Sequence, residues 1–284
     1  MSISSSATLV ELNVSVWTGA KEDKNVSRDV ANRNAASDDA GKYKKNLMAG
    51  TTKRKEIQDL SARIREWHNR MTIPWADKGA RLLPTSMFFE YKRQLDSWVE
   101  LFDRSVQEFV GSYTDLVDNA RLNLGNLFNA ADYPTAEEIS AKFGVRYVFS
   151  PVPTSGDFRL DIPTQQLDQL RADYDTAFDN RLEDAMKKPW NDLHKMLTDM
   201  SAKFKKSLEQ DGKKMRWHDT FVTNGMELCQ LLSHFNLTND PKLEQARREV
   251  EAALSGLDIE DIKHSTVTQA DTKDKVDNIL RSFW

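Results

Sequence analysis

The side chains with most scope for chemistry in this 284-residue chain are cationic. Six basic residues and one tyrosine fall between Lys42 and Lys55 with no acid among them: Lys42, Tyr43, Lys44, Lys45, Lys53, Arg54 and Lys55. A second run holds Lys203, Lys205, Lys206, Lys213, Lys214 and Arg216, with Trp217 beside it. Lysine and arginine set among aromatic rings can follow a phosphate backbone and stack on bases. Single-stranded nucleic acid is therefore one expected partner. Its candidate contacts are Lys44, Lys45, Arg54, Lys55, Lys205, Lys206, Lys213, Lys214, Arg216 and Trp217. A plainer account competes, because cations near a helix C-terminus complement its dipole without any ligand, and that suits 203–216.

Residues that could break bonds are dispersed. The chain contains no G-x-x-x-x-G-K-[ST], G-x-G-x-x-G, G-x-S-x-G or H-E-x-x-H motif. His68, His194, His218, His234 and His264 are scattered, and no two sit at metal-ligand spacing on one helix. Cys229, flanked by Leu228 and Leu231, reads as a small core hydrophobe rather than a nucleophile. Asp157 and Asp161 bracket Arg159 on one strand face and could hold a cation, though alternating charge on a solvated strand explains them as well. No catalytic residue, metal site or cofactor is expected, and an enzyme ranks last among the readings.

Forty basic residues against 44 acidic ones give a net charge of −4, with 30% of residues charged and 39% hydrophobic. That balance fits a soluble globular chain and excludes collagen-like, disulfide-scaffold and wholly disordered classes. No stretch approaches the roughly 18 apolar residues of a membrane span. The Met1–Ser6 stretch lacks the charged and apolar regions of a signal peptide. With a single cysteine, a reducing compartment is expected, the cytoplasm. The charge is segmental. Residues 1–80 carry +4, whereas 219–284 carry −5, so self-complementary contacts or a local anionic partner are expected.

Elements that must position these groups follow from periodicity. Thr8 to Val16 reads as a strand, and 20–52 as a polar arm or weak helix that orders only against another surface. Ile57, Leu60, Ile64, Trp67 and Met71 make one helical stripe that Pro74 ends, with a connecting loop to Pro84. Phe88, Tyr91, Leu95, Trp98, Phe102, Ser105, Phe109, Ser112 and Leu116 form a heptad-like seam on a helix of about 85–127. A short helix at 135–143 leads to a β-hairpin of 145–149 and 157–162. The N-terminal strand is the expected third member of its sheet. A second long helix spans about 164–210, with a kink or break expected at Pro189. Helical stripes resume after 219, with Asn239-Asp240-Pro241 as a start signal.

Three stretches carry a resemblance. Residues 127–134 (L-F-N-x-x-D-Y-P), 149–159 (F-x-P-V-P-x-x-G-D-F-R) and Leu9 to Gly19 (L-V-x-L-x-x-S-x-W-T-G) resemble an uncharacterised family of bacteriophage and mobile-element proteins. That family has no established activity, so the resemblance implies no catalytic residue. It implies a phage or plasmid origin and a partner-dependent role, with a MoxR-type ATPase as one partner.

The expected fold is mainly α: a long antiparallel, coiled-coil-like helical hairpin with a small β-hairpin or sheet at its tip and short C-terminal helices. Its divisions are 1–56, a strand and basic arm; 57–218, the hairpin with its β insertion at about 145–162; and 219–284, a helical subdomain. The expected function is a non-enzymatic, homo-oligomeric assembly or interaction protein. The alternative is single-stranded DNA binding through 42–55 and 203–217. No membrane partner is expected.

Overall fold

The computed structural model describes residues 3–76, 79–154, 164–209 and 215–284. The chain is mainly helical with a small antiparallel sheet. Its elements begin with α1 (Ile3–Ser6), β1 (Ala7–Ser15), β2 (Ala20–Glu22), α2 (Lys24–Arg33), β3 (Lys44–Asn46) and α3 (Lys53–Arg70). There follow β4 (Ile73–Pro74), β5 (Arg81–Pro84), α4 (Phe88–Gly111), α5 (Tyr113–Leu124), α6 (Ala136–Ser140) and β6 (Gly144–Pro151). Then come α7 (Thr164–Glu209), α8 (Thr220–Phe235), α9 (Pro241–Leu254), α10 (Ile259–His264) and α11 (Thr266–Phe283). They form two compact units, each drawn from separate stretches of chain. The first takes Met1–Glu11, Arg70–Phe89 and Phe149–Trp284, and the second takes Leu12–Asn69 and Glu90–Val148.

The four-stranded sheet runs in the order β4-β5-β1-β6. β1 and β5 are antiparallel, with Ala7 opposite Pro84 and Val10 opposite Arg81. β4 adds to β5 with Ile73 opposite Leu82. The N-terminal strand does lie next to the 144–151 strand, where Thr8 Oγ1 donates to the Ser150 carbonyl at 2.8 Å. The expected returning strand, 157–162, lies outside the described residues. The stretch to Pro84 is not a plain loop, because it supplies β4 and β5. Ile73, Leu82 and Leu83 are wholly buried there, and packing rather than any period makes them strands.

α7 continues through Pro189, which is itself buried. Forty-six residues make a rod of about 69 Å at 1.5 Å per residue. Leu193, Leu197, Met200 and Phe204 on its C-terminal half close a core with α8, α9 and α11. α9 starts where the sequence signalled, with Asp240 accepting from the Lys242 N–H at 2.9 Å and Pro241 at the first helical position. Leu243, Ala246, Val250 and Leu254 face inward as their spacing requires.

In the second unit, α3 presents Ile57, Leu60 and Ile64 to a core shared with Phe102, Phe109, Tyr113 and Leu116. The helix expected over 85–127 opens with a 3-10 turn at Thr85–Met87, breaks at Ser112 and stops at Gly125. Its buried line runs Tyr91, Leu95, Phe102, Val106, Phe109, Tyr113, Leu116 and Ala120. Ser105 and Ser112 drop out of it, since a 3.6-residue turn drifts off a strict seven-residue repeat. The polar arm is ordered by this same core, in which Leu47 and Met48 are buried. A reciprocal capping box between Thr135 and Glu138 starts α6.

Candidate functional site

The two lysines of β3 have opposite fates because successive side chains of a strand point to opposite faces. Lys44 is exposed and Lys45 is buried. The Lys45 side chain is 5% exposed, and its Nζ lies 2.7 Å from Asp132 Oδ2 and 3.4 Å from Asp23 Oδ2. It also donates to the Leu127 carbonyl at 2.9 Å. The Asp132 carboxylate holds the ammonium pKa above its ordinary value, against the opposite push of burial. Asp23 caps α2 with the same carboxylate, and the hydrogen bond from Val26 N–H, helped by Lys45, lowers its pKa. One turn further, Leu47 N–H donates to the Gly19 carbonyl at 2.8 Å, and Tyr133 OH donates to the Leu47 carbonyl at 2.9 Å. The Tyr133 ring stacks on Phe128.

Lys45 is therefore the buried ion of a clasp, and its ammonium is not free for a phosphate. Residues of the L-F-N-x-x-D-Y-P stretch build half of that clasp: the Leu127 carbonyl, Phe128, Asp132 and Tyr133. Gly19, the last residue of the L-V-x-L-x-x-S-x-W-T-G stretch, supplies the carbonyl that holds Leu47. Trp17 of the same stretch packs at 6.4 Å from Phe109 and 6.3 Å from Tyr113.

Arg54 stands elsewhere. Together with Gln58, Ser61 and Arg65 it lines a groove of about 670 Å³, whose other wall is Val14 to Thr18. The four side chains fall at intervals of four, three and four, which is one face of α3. Arg54 Nη1 donates to Gln58 Oε1 at 3.0 Å. Arg65 donates from Nη1 to Ser61 Oγ at 3.1 Å and from Nη2 to the Val14 carbonyl at 2.6 Å. Ser61 is anchored in turn on the Gln58 carbonyl. Gly19, at φ +59°, leaves room for the Arg54 stem, since a Cβ there would lie 2.4 Å from Arg54 Cδ. No carboxylate lines the groove, and neither guanidinium has an ion-pair partner among the described residues. Lys55 is exposed on the first turn of the same helix, where Lys53 donates to Ser112 Oγ at 3.0 Å.

The second basic stretch belongs to the other unit. Trp217 is 8% exposed and packs against Phe204 and Phe221, so its ring has no face left for a base. Lys203 covers the Trp217 and Phe221 rings at 4.9 and 4.7 Å, and burial pushes its pKa down. Lys205 lies 3.9 Å from Glu209, while Lys206 and Arg216 are exposed. Lys213 and Lys214 lie outside the described residues, as do Asp157 and Asp161. Arg65 and Ser61 interleave with the apolar residues of α3 and so stand apart from the basic run. The R-x-x-x-Q-x-x-S-x-x-x-R spacing was the signal that could have found them.

Among the described residues no group of three His, Cys, Asp or Glu side chains is placed to hold a metal ion. Cys229 is wholly buried, and burial pushes its thiol pKa up to about 11. Ser86 Oγ and His234 Nδ1 are 2.9 Å apart, the closest approach to a nucleophile and base, but the pair is exposed and no carboxylate bonded to His234 orients it among the described residues. No helix among the described residues is long and apolar enough to cross a membrane. No family model, curated protein or solved structure matches this chain.

Proposed function

We propose that the protein is a non-enzymatic assembly protein of bacteriophage origin that joins copies of itself through the first half of α7. One contrast along that helix supports the reading. In the second half Ala185, Pro189, Leu193, Leu197, Met200 and Phe204 are all buried. In the first half an equivalent stripe, Leu167, Leu170, Tyr174, Phe178 and Leu182, is only half covered. Trp75 meets Phe178 edge-on at 5.1 Å, and Tyr174 OH donates to the Pro153 carbonyl. Covering the rest of the stripe would remove apolar surface from water.

Charge indicates what covers it. Asp168, Asp173, Asp175, Asp179, Glu183 and Asp184 outnumber Arg171 and Arg181 along this half. Two such stripes face to face would bring like charges together, so the contact is heterologous, with the stripe of one copy on a neutral or basic face of the next. Contacts of that kind close into rings or extend into filaments. An ATPase partner rests on the resemblance alone, and a cytoplasmic setting on the single cysteine.

Light scattering tests it. At tens of micromolar the mass should exceed the 32.6 kDa of one chain. Leu167→Glu with Leu170→Glu should return it to that value. A monomeric wild type, or an oligomer indifferent to both substitutions, would overturn the proposal.

A further inference from the structure

The groove on α3 has a feature that folding alone does not explain. Two guanidiniums are held in place by bonds to Gln58, Ser61 and the Val14 carbonyl, yet neither meets a carboxylate among the described residues. Arginine forks fixed in this way are preorganised for oxyanions, which they bind in a bidentate fashion. The acids of α3, Glu56, Asp59 and Glu66, lie about 100° or more round the helix from the Arg54–Arg65 line at 3.6 residues per turn. Helix α3 also opens with Lys53, Arg54 and Lys55 in succession. Cations are disfavoured at that end of a helix dipole, so this arrangement opposes stability and favours an arriving anion.

We propose that this groove binds the phosphate backbone of a single-stranded nucleic acid, with Arg54 holding one phosphate and Arg65 another. Eleven residues of helix separate the two arginines by about 16 Å, so no single phosphate reaches both. The ligand must therefore present anions along a line. A phosphodiester strand carries one at every nucleotide, whereas an acidic peptide would have to turn a side chain toward each guanidinium. Gln58, exposed between them, offers its side-chain amide to the intervening sugar or base, whereas Ser61, 1% exposed and bonded to the Gln58 carbonyl and to Arg65, only holds Arg65 in place. Trp17 forms part of the wall but is 9% exposed, so it shapes the groove and does not stack. Lys45 and Trp217 take no part, and the site is confined to the second unit.

Fluorescence anisotropy with a labelled 20-mer oligothymidylate at 50 mM salt tests this. The full-length chain should bind, and Arg54→Ala or Arg65→Ala should each weaken binding at least several-fold. The double change should flatten the log K against log salt slope by about 1.4, at roughly 0.7 per phosphate contact on a single strand. Arg54→Lys and Arg65→Lys keep the charge and should keep the slope. Lys205→Ala with Lys206→Ala should leave affinity within about twofold. Among the described residues Arg54 bonds to Gln58 Oε1 alone, on the helix surface, so its change reads out binding even if Arg65→Ala loosens Val14. Absence of binding at 50 mM salt, or binding untouched by either arginine change, would overturn the proposal. So would equal competition by a 20-residue polyglutamate, which would assign the groove to an acidic peptide.

Discussion

Replacing Lys45 by alanine decides whether this residue holds the fold or waits for a ligand. The change strips a 2.7 Å ion-pair contact from Asp132, which is 11% exposed, and a donor from the Leu127 carbonyl. An uncompensated buried charge of this kind costs about 3–5 kcal/mol. At the lower figure the opening constant of the clasp rises roughly 150-fold, since 1.36 kcal/mol is one decade. Lys44→Ala, one residue away and exposed, should stay within about 0.5 kcal/mol of wild type. A chain of two compact units need not unfold in one step, so amide exchange at residues 44–47 reports the change better than a global melt. Exchange there should accelerate about a hundredfold in Lys45→Ala and not in Lys44→Ala. The pH dependence has a defined sign. Because folding raises the Lys45 pKa, its contribution is complete below the ordinary lysine value of about 10.4 and is lost as pH rises through the folded value. Equal exchange in the two variants, or a Lys45→Ala protein as stable as wild type, would refute the clasp.

Two further outcomes test the first unit. Cys229, wholly buried and with its thiol pushed up to about 11, should ignore a thiol reagent at pH 8 until denaturant is added, and rapid labelling of the native chain would contradict that burial. Hydrogen bonds from Arg247 and then Arg248 lower the Glu244 pKa to about 2, so its stabilisation is present above the ordinary glutamate value of about 4.3 and lost as pH falls toward 2. Solvent screening limits that contribution to about 1 kcal/mol. Glu244→Gln should be less stable than wild type at pH 6 and converge with it near pH 2, and a constant gap in circular-dichroism melts across that range would contradict the assignment.

The elements whose register is set by neighbours three and four residues away were legible in sequence. Ile57, Leu60, Ile64 and Trp67 face inward, and Asp240-Pro241 starts α9. What could not be read depends on residues far along the chain. Lys45 looked like its neighbour Lys44, and nothing local shows that Asp132 waits 87 positions on. Leu47 and Met48 sit in a polar stretch too poor in apolar groups to order itself, and they find their core on α3, α4 and α5. β4 and β5 are two and four residues long, too short for a period to register. Of the candidate contacts, Lys45 and Trp217 failed for one reason: a basic or aromatic side chain in a charged run can turn inward when a partner elsewhere satisfies it.

The residues of the resemblance in the second unit are holding residues: the Leu127 carbonyl and Asp132 bind Lys45, Tyr133 binds the Leu47 carbonyl, and Gly19 both accepts from Leu47 and clears the Arg54 stem. The residues proposed to meet a ligand or a second copy, Arg54, Arg65, Leu167 and Leu170, all lie outside the three stretches. In this chain the holding residues build the arm. The proposed contacts therefore lie on exposed faces of α3 and α7, apart from the side chains that form the clasp.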